Sequence, residues 1–370
     1  MKKLLFALLI LSSCTPKKDV SKLPIIFVGT YTQKLGHVDG KATGIYTCWM
    51  DTLSGELTIV DSAAITNPSF LTVSPDKKYL YAVAEISGEG KEPLGKVAAF
   101  KILDGGKLEK LNELSSYGNA PCHISTDKTG KFVFVANYVT GNIVSYGVKS
   151  DGSLTDSIGM IQQEGIPTWA HNIQPSVDNK HVFAVNKGAD KIFVYDLTEK
   201  GTLMPKMAIS TAPSAGPRHM DFNPNNPQQF VAINENSSAM GSYKYDANAL
   251  AINLLDSLST LSTGFTGNNS CADVHFHPNG KFVYGSNRGH NSIVIYSFDA
   301  TTGKLTLVGH ESTQGEIPRN FLITPDGKFL LVANQNSSNV VAFRINAATG
   351  KLTPTGANSR VWTPVCLKML

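Results

Sequence analysis

The chain has 370 residues, of which 42% are apolar and 17% charged, the composition of a folded, core-rich protein. Its formal charge of +4 comes from Lys and Arg dispersed along the chain, which gives no basic stripe for a phosphate backbone and excludes nucleic acid as the expected partner. With 32 Gly and 18 Pro few stretches can be helical, so many short strands and turns are expected.

At the N-terminus Lys2 and Lys3 precede the apolar run from Leu4 to Leu11 and the boundary Leu-Ser-Ser-Cys ending at Cys14. The pattern predicts a secretory signal over 1–13, since a run this short cannot span a bilayer, which needs about 20 residues. Leu-Ser-Ser-Cys also resembles a bacterial lipobox, which would make Cys14 the lipidated first residue and 14–22 a tether. The expectation is an exported lipoprotein at the periplasm or cell surface, held to the membrane only by its lipid. Four cysteines remain, Cys48, Cys122, Cys271 and Cys366, with no metal-ligand spacing. They are expected as small buried residues, a disulfide being possible but not readable from spacing.

From residue 23 to 370 one strand pattern recurs: PIIFVGTY, KKYLYAVAE, GKFVFVANY, NKHVFAVNK, PQQFVAINE, GKFVYGSNR and GKFLLVANQ. They end at Tyr31, Glu85, Tyr138, Lys187, Glu235, Arg288 and Gln335, a period of about fifty residues. Each is followed by two further strand patterns, and all but the first are preceded by one. This predicts an all-β fold, a seven-bladed propeller of four-stranded blades. The first unit's missing strand is supplied by TPVCLKML at the C-terminus, so that strand closes the ring and leaves no open edge. One domain and a monomer are expected.

The first strand of each blade lines the channel of a propeller, so its positions form rings. Aligned copies give one column of Phe70, His123, His171, His219, Asp273, Asn320 and Cys366, and a neighbouring column of Ser69, Cys122, Ala170, Arg218, Ala272, Arg319 and Val365. The ends of the second strands add Tyr31, Glu85, Tyr138, Lys187, Glu235, Arg288 and Gln335. Asn137, Asn186, Asn234, Asn287 and Asn334 recur before them and are read as structural, bonding turn backbone. Arg218, Glu235 and Arg288 break the pattern of their columns. Their convergence with imidazoles at one channel mouth predicts a site for an anionic ligand, with structural ion pairing as the competing reading.

VGTYT at Val28, NPSFLTVSPD at Asn67, APCHIS at Ala120, GPRHMDF at Gly216, NE at Asn234, SNRG at Ser286 and IPRNF at Ile317 resemble, in order, the lactonase family of seven-bladed propellers. That family includes 6-phosphogluconolactonase and carboxy-muconate cyclase activities. The resemblance implies a catalytic set of His171, Arg218, Glu235 and Arg288; the channel-facing His123, Lys187, His219 and Arg319 are the substrate-binding candidates. Where the family usually has a doubled His this chain has Trp169-Ala170-His171, and where it usually has Asp-Leu-Gly-x-Asp this chain has Asn186-Lys187-Gly188-Ala189-Asp190, which loses a carboxylate and adds the cation of Lys187. The implied reaction is hydrolysis of an anionic sugar lactone, the arginines holding the anion and oxyanion while His171 or Glu235 relays the proton. The alternatives are a non-catalytic propeller that binds a sugar acid or a protein partner, and a lactonising cyclase of the muconate type. No serine elbow, phosphate-cradling Gly loop, zinc motif or dinucleotide fingerprint is present, so no cofactor or metal is expected.

Overall fold

The computed structural model describes residues 23–88 and 92–370. The leader, the tether and Cys14 lie outside the described residues. Alternation of apolar residues in short runs, cut by Gly and Asp turns, gives strands throughout, and no α-helix occurs among the described residues. Seven antiparallel four-stranded sheets form, each ordered from the channel outward, with one small hairpin, Lys34–Leu35 with Val38–Asp39, added between strands of the first blade.

The first blade mixes the two chain ends. Pro364–Met369 is its inner strand and pairs with Ile25–Thr30, for example Ile26 with Met369 and Gly29 with Cys366. The Leu370 amide donates to the Ile25 carbonyl at 3.0 Å, extending the ladder to the last residue. The expected closure by the C-terminal strand is therefore present, and every inner edge is paired.

Burial follows position in the blade. The second strand of the fourth blade, His181–Asn186, is buried along its whole length, whereas the outer strand Leu203–Ser210 is buried only at Leu203 and half-buried or exposed beyond it. The core lies between neighbouring blades. Phe183 of the fourth blade meets Phe222 and Phe230 of the fifth edge-on, with ring centroids 5.1 and 5.7 Å apart. Each such ring withdraws enough apolar surface to contribute about 1.5–3 kcal/mol, so the ring of blades is held by its interfaces more than by any one sheet.

The recurring Asn acts as expected in four of its five copies. Asn137, Asn287 and Asn334 donate through Nδ2 to the carbonyls of Ser116, Thr260 and Thr313, at 2.8, 2.8 and 3.0 Å. Asn186 accepts from the amides of Trp169 and Ala189. Each ties the end of a second strand to the loops around it. All four remaining cysteines are buried and free.

Candidate active site

The inner strands share a defect that aims the site residues. In the third blade Pro121 pairs with Asn137 but His123 pairs with Ala136, so Cys122 is an extra, bulged residue. The same break isolates His171 between Ala170 and Asn172, Arg218 between Pro217 and His219, and Arg319 between Pro318 and Asn320. A bulge turns one side chain away from the ladder, here toward the channel mouth. This corrects the column drawn from sequence: His171 belongs with Cys122, Arg218 and Arg319, and Asn172 belongs with His123 and His219. Matching His to His had slipped the fourth blade by one residue.

The correction divides the candidates between two cavities. A cavity of about 490 Å³ at one mouth is lined by His171, Arg218, Glu235, Arg288 and Arg319, together with Glu85, Cys122, Tyr138, Leu35 and His37. Lys187 stands behind it against Glu235. His123 and His219 do not join this group; they line a second cavity of about 500 Å³ at the other mouth, with Asp273, His275 and Lys368. The rise of about 3.3 Å per strand residue separates the two rings along the channel. His123 is bound into the wall, Nε2 lying 3.0 Å from Asn172 Nδ2 and Nδ1 accepting from the Ile173 amide at 3.3 Å.

Glu235 organises the first cavity. Its Oε1 takes Lys187 Nζ at 2.6 Å, and its Oε2 lies 2.9 Å from Arg218 Nε and 3.0 Å from Arg288 Nη2. The Arg218 contact is close but off the hydrogen-bond axis, so Nε remains without an aligned acceptor. Burial disfavours the charged form of Glu235, but Arg288, Arg218 and Lys187 together outweigh it and hold the carboxyl down to about 2. Lys187 also lies against the stacked rings of Tyr138 and Trp169, 5.8 and 5.3 Å from their centroids. On the other side Arg319 Nη2 donates to the Tyr31 hydroxyl at 3.0 Å, which donates to Glu85 Oε2 at 2.9 Å. The lining thus carries more cationic than anionic charge, which suits an anion.

His171 differs from these groups in having no charged partner. It is buried, its Nδ1 lacks a hydrogen-bond partner, and its ring meets Tyr138 edge-on at 5.5 Å. Burial first, then the charges of Arg218, His219 and Arg319, pushes its imidazole well below the usual range. These influences favour the neutral imidazole. Cys122 lines the same cavity, but burial pushes its thiol up, so it is no thiolate nucleophile. No cluster of three or more His, Cys, Asp or Glu suited to a metal occurs among the described residues.

Leu35 and His37 were not among the sequence candidates. They come from the small hairpin of the first blade, whose connection, 31–43, is far longer than the matching 138–141 of the third. That excess length over the repeat was the available signal.

The chain is similar over most of its length to known proteins of one kind. It is 37% identical to the 6-phosphogluconolactonase of Formosa agariphila over 316 residues, 80% of this chain and 86% of that one. It is 32% identical to the 6-phosphogluconolactonase of Bacillus subtilis, across 80% of this chain and 84% of that one. Among solved structures the periplasmic gluconolactonase of Pseudomonas aeruginosa superposes with a TM-score of 0.86 at 27% identity, covering 94% of this chain and 99% of that one. The family model for the seven-bladed β-propeller lactonases matches residues 25–369, and with the bladed ring and its bulge-aimed cavity in place, the chain belongs to that family.

Proposed function

We propose that the protein hydrolyses an anionic sugar lactone at the cavity of His171, Arg218, Glu235 and Arg288. The observation that carries this reading is the meeting, in one cavity, of a buried imidazole whose Nδ1 has no hydrogen-bond partner with three guanidinium groups. An ester carbonyl turned toward Arg218 and Arg288 develops its oxyanion against fixed cations, and Arg319 is available for the substrate's own carboxylate or phosphate. His171 takes a proton from water as the water oxygen bonds to the carbonyl carbon. The ring C–O bond then breaks, and the leaving alkoxide takes that proton from the imidazolium. The second water proton leaves when the product acid ionises. Glu235, held ionised at about 2 by its three cations, serves as their anchor and not as the base.

The relatives named 6-phosphogluconolactonase and the periplasmic gluconolactonase support a sugar lactone as the substrate class. The periplasmic relative and the signal pattern over 1–13 together support export, with Cys14 as the lipid-bearing residue at the head of the 14–22 tether.

A pH-stat panel of phosphorylated and unphosphorylated sugar lactones tests the reading, beside a thermal-shift screen with the matching acids. Turnover of at least one sugar lactone is expected, falling by about 10²- to 10³-fold in Arg288→Ala, the usual effect of removing one oxyanion donor. Stabilisation by the acids with no turnover of any lactone would instead establish a binding protein.

A further inference from the structure

Between the two cavities the channel narrows to a void of about 10 Å³, lined in part by Ser69, His171, Arg218 and His219. That is about the space one water centre needs. Ser69 Oγ and His171 Nδ1 are both buried there without a hydrogen-bond partner. Buried polar atoms left unpaired are costly, so two of them on one water-sized void point to a shared partner.

The proton positions around the void follow from Asp273. Its Oδ2 receives His275 Nε2 at 3.0 Å, the Phe321 amide at 3.3 Å and the Asn320 side-chain amide, and its Oδ1 lies 2.7 Å from His219 Nδ1. A carboxylate so surrounded accepts only, so His219 carries its hydrogen on Nδ1 and leaves Nε2 as an acceptor. Arg218 Nη1 approaches that Nε2 at 3.4 Å, longer than an ordinary hydrogen bond, His219 lines the void, and its ring is 5.2 Å from that of His171.

We propose that one water fills this void and that His219, oriented by Asp273, acts through it as a positioning residue for His171. His171 Nδ1–H donates to the water, the water donates to His219 Nε2, and His219 Nδ1–H donates to Asp273. Ser69 donates to the water's other lone pair. The chain fixes the His171 hydrogen on Nδ1 and leaves Nε2 as the lone pair for the main cavity. The charged neighbours are arranged to make this choice matter. Arg218 and Arg319 oppose protonation of His171; in the proposed chain Asp273, 2.7 Å from His219 Nδ1, favours the imidazolium that forms during attack. The catalytic consequence rests on His171 being the base, as proposed above; the tautomer itself does not.

Nitrogen-15 spectra of the imidazoles in the folded chain test the arrangement without substrate. Wild-type protein is expected to show His171 as the Nδ1–H tautomer at neutral pH. His219→Leu, which removes the acceptor, is expected to give a mixture, and His219→Gln, which keeps one, to retain Nδ1–H. With a lactone that turns over, His219→Leu is expected to lower kcat about 10- to 100-fold with little change in KM, and His219→Gln to recover most of it. An Nε2–H tautomer in the wild type overturns the proposal, as does a His171 spectrum unmoved by His219→Leu. If that variant does not fold, the wild-type tautomer still decides. Nδ1–H on His171 in a protein that opens no lactone would leave the water-linked array standing and remove only the enzymatic reading.

Discussion

Lys187 Nζ lies 2.6 Å from Oε1 of Glu235, on the oxygen opposite the one shared by Arg218 and Arg288. The carboxylate is therefore engaged on both sides, and three cations depend on one acid. Without it they would face one another in a buried wall. Burying charge is tolerable only with such compensation, and the arrangement leaves the guanidiniums fixed in direction and with positive charge to spare for a ligand.

Glu235→Gln is expected to destabilise the fold, because it keeps the shape but removes the charge that three buried cations share. Breaking a buried pair from one side costs about 3–5 kcal/mol. Chemical denaturation at neutral pH measures it, and a change below 1 kcal/mol would show that the cations are adequately solvated without the acid.

The same residue sets an acid limit. Its folded-state carboxyl is depressed, from the ordinary 4.5 to about 2, so its contribution is present above about pH 4.5 and is lost as pH falls toward 2. A depression of that size corresponds to roughly 3 kcal/mol. Wild-type stability is expected to decline across this window and that of Glu235→Gln to decline less. Parallel curves for the two proteins would refute the linkage.

The pH dependence of turnover should separate the two candidate bases. A neutral His171, pushed well below its usual range, keeps its lone pair at pH values where an ordinary imidazole is protonated. The acid limb of kcat/KM is therefore expected well below pH 6.5, and His171→Gln should lower kcat by about 10²- to 10⁴-fold, the usual contribution of a general base. An acid limb at or above pH 6.5 would argue against His171 in the state described.

The architecture was legible because the repeat is written seven times: strands such as GKFVFVANY and GKFLLVANQ carry their own alternation, and TPVCLKML supplies the strand the first unit lacks. The site was legible in its members but not in its arrangement. A bulge has no residue signature, so nothing in Trp169-Ala170-His171-Asn172 says which residue is the extra one, and only the pairing of Ala170 with Asn186 reveals it. His123 and His219 were drawn into the wrong cavity for the same reason, since one residue along an inner strand is a different level of the channel. His37 escaped because its hairpin is an insertion outside the repeat.

Deleting residues 363–370 is expected to abolish the soluble, folded protein. The cut removes the inner strand of the first blade, exposes the edge of Ile25–Thr30, and takes Val365, Cys366 and Leu367 out of the core. It also removes the Thr363 hydroxyl that donates to the Tyr31 carbonyl at 2.6 Å beside the main cavity. Expression followed by size-exclusion chromatography checks this, and a soluble truncated chain with an unchanged melting temperature would mean the ring does not need its clasp.

At the opposite mouth the sign of the pH dependence reverses. His275 Nε2 lies 3.0 Å from Asp273 Oδ2, and its Nδ1 is 3.8 Å from Asp221 Oδ2. Burial disfavours its charged form, but Asp273 and Asp221 outweigh burial and push the imidazole up to about 10. A raised folded-state value contributes stability that is fully present below the ordinary 6.5 and is lost as pH rises through about 10. The ring is 31% exposed, so solvent screens part of the effect. The wild type is expected to lose stability between pH 6.5 and 10, and His275→Gln, which cannot titrate, to lose less over that interval. Denaturation midpoints measured across it decide the point: if the two proteins decline in parallel, the charge on His275 does not hold this mouth of the channel together, and Asp273 must be balanced by its hydrogen bonds from Asn320, Phe321 and His219 alone.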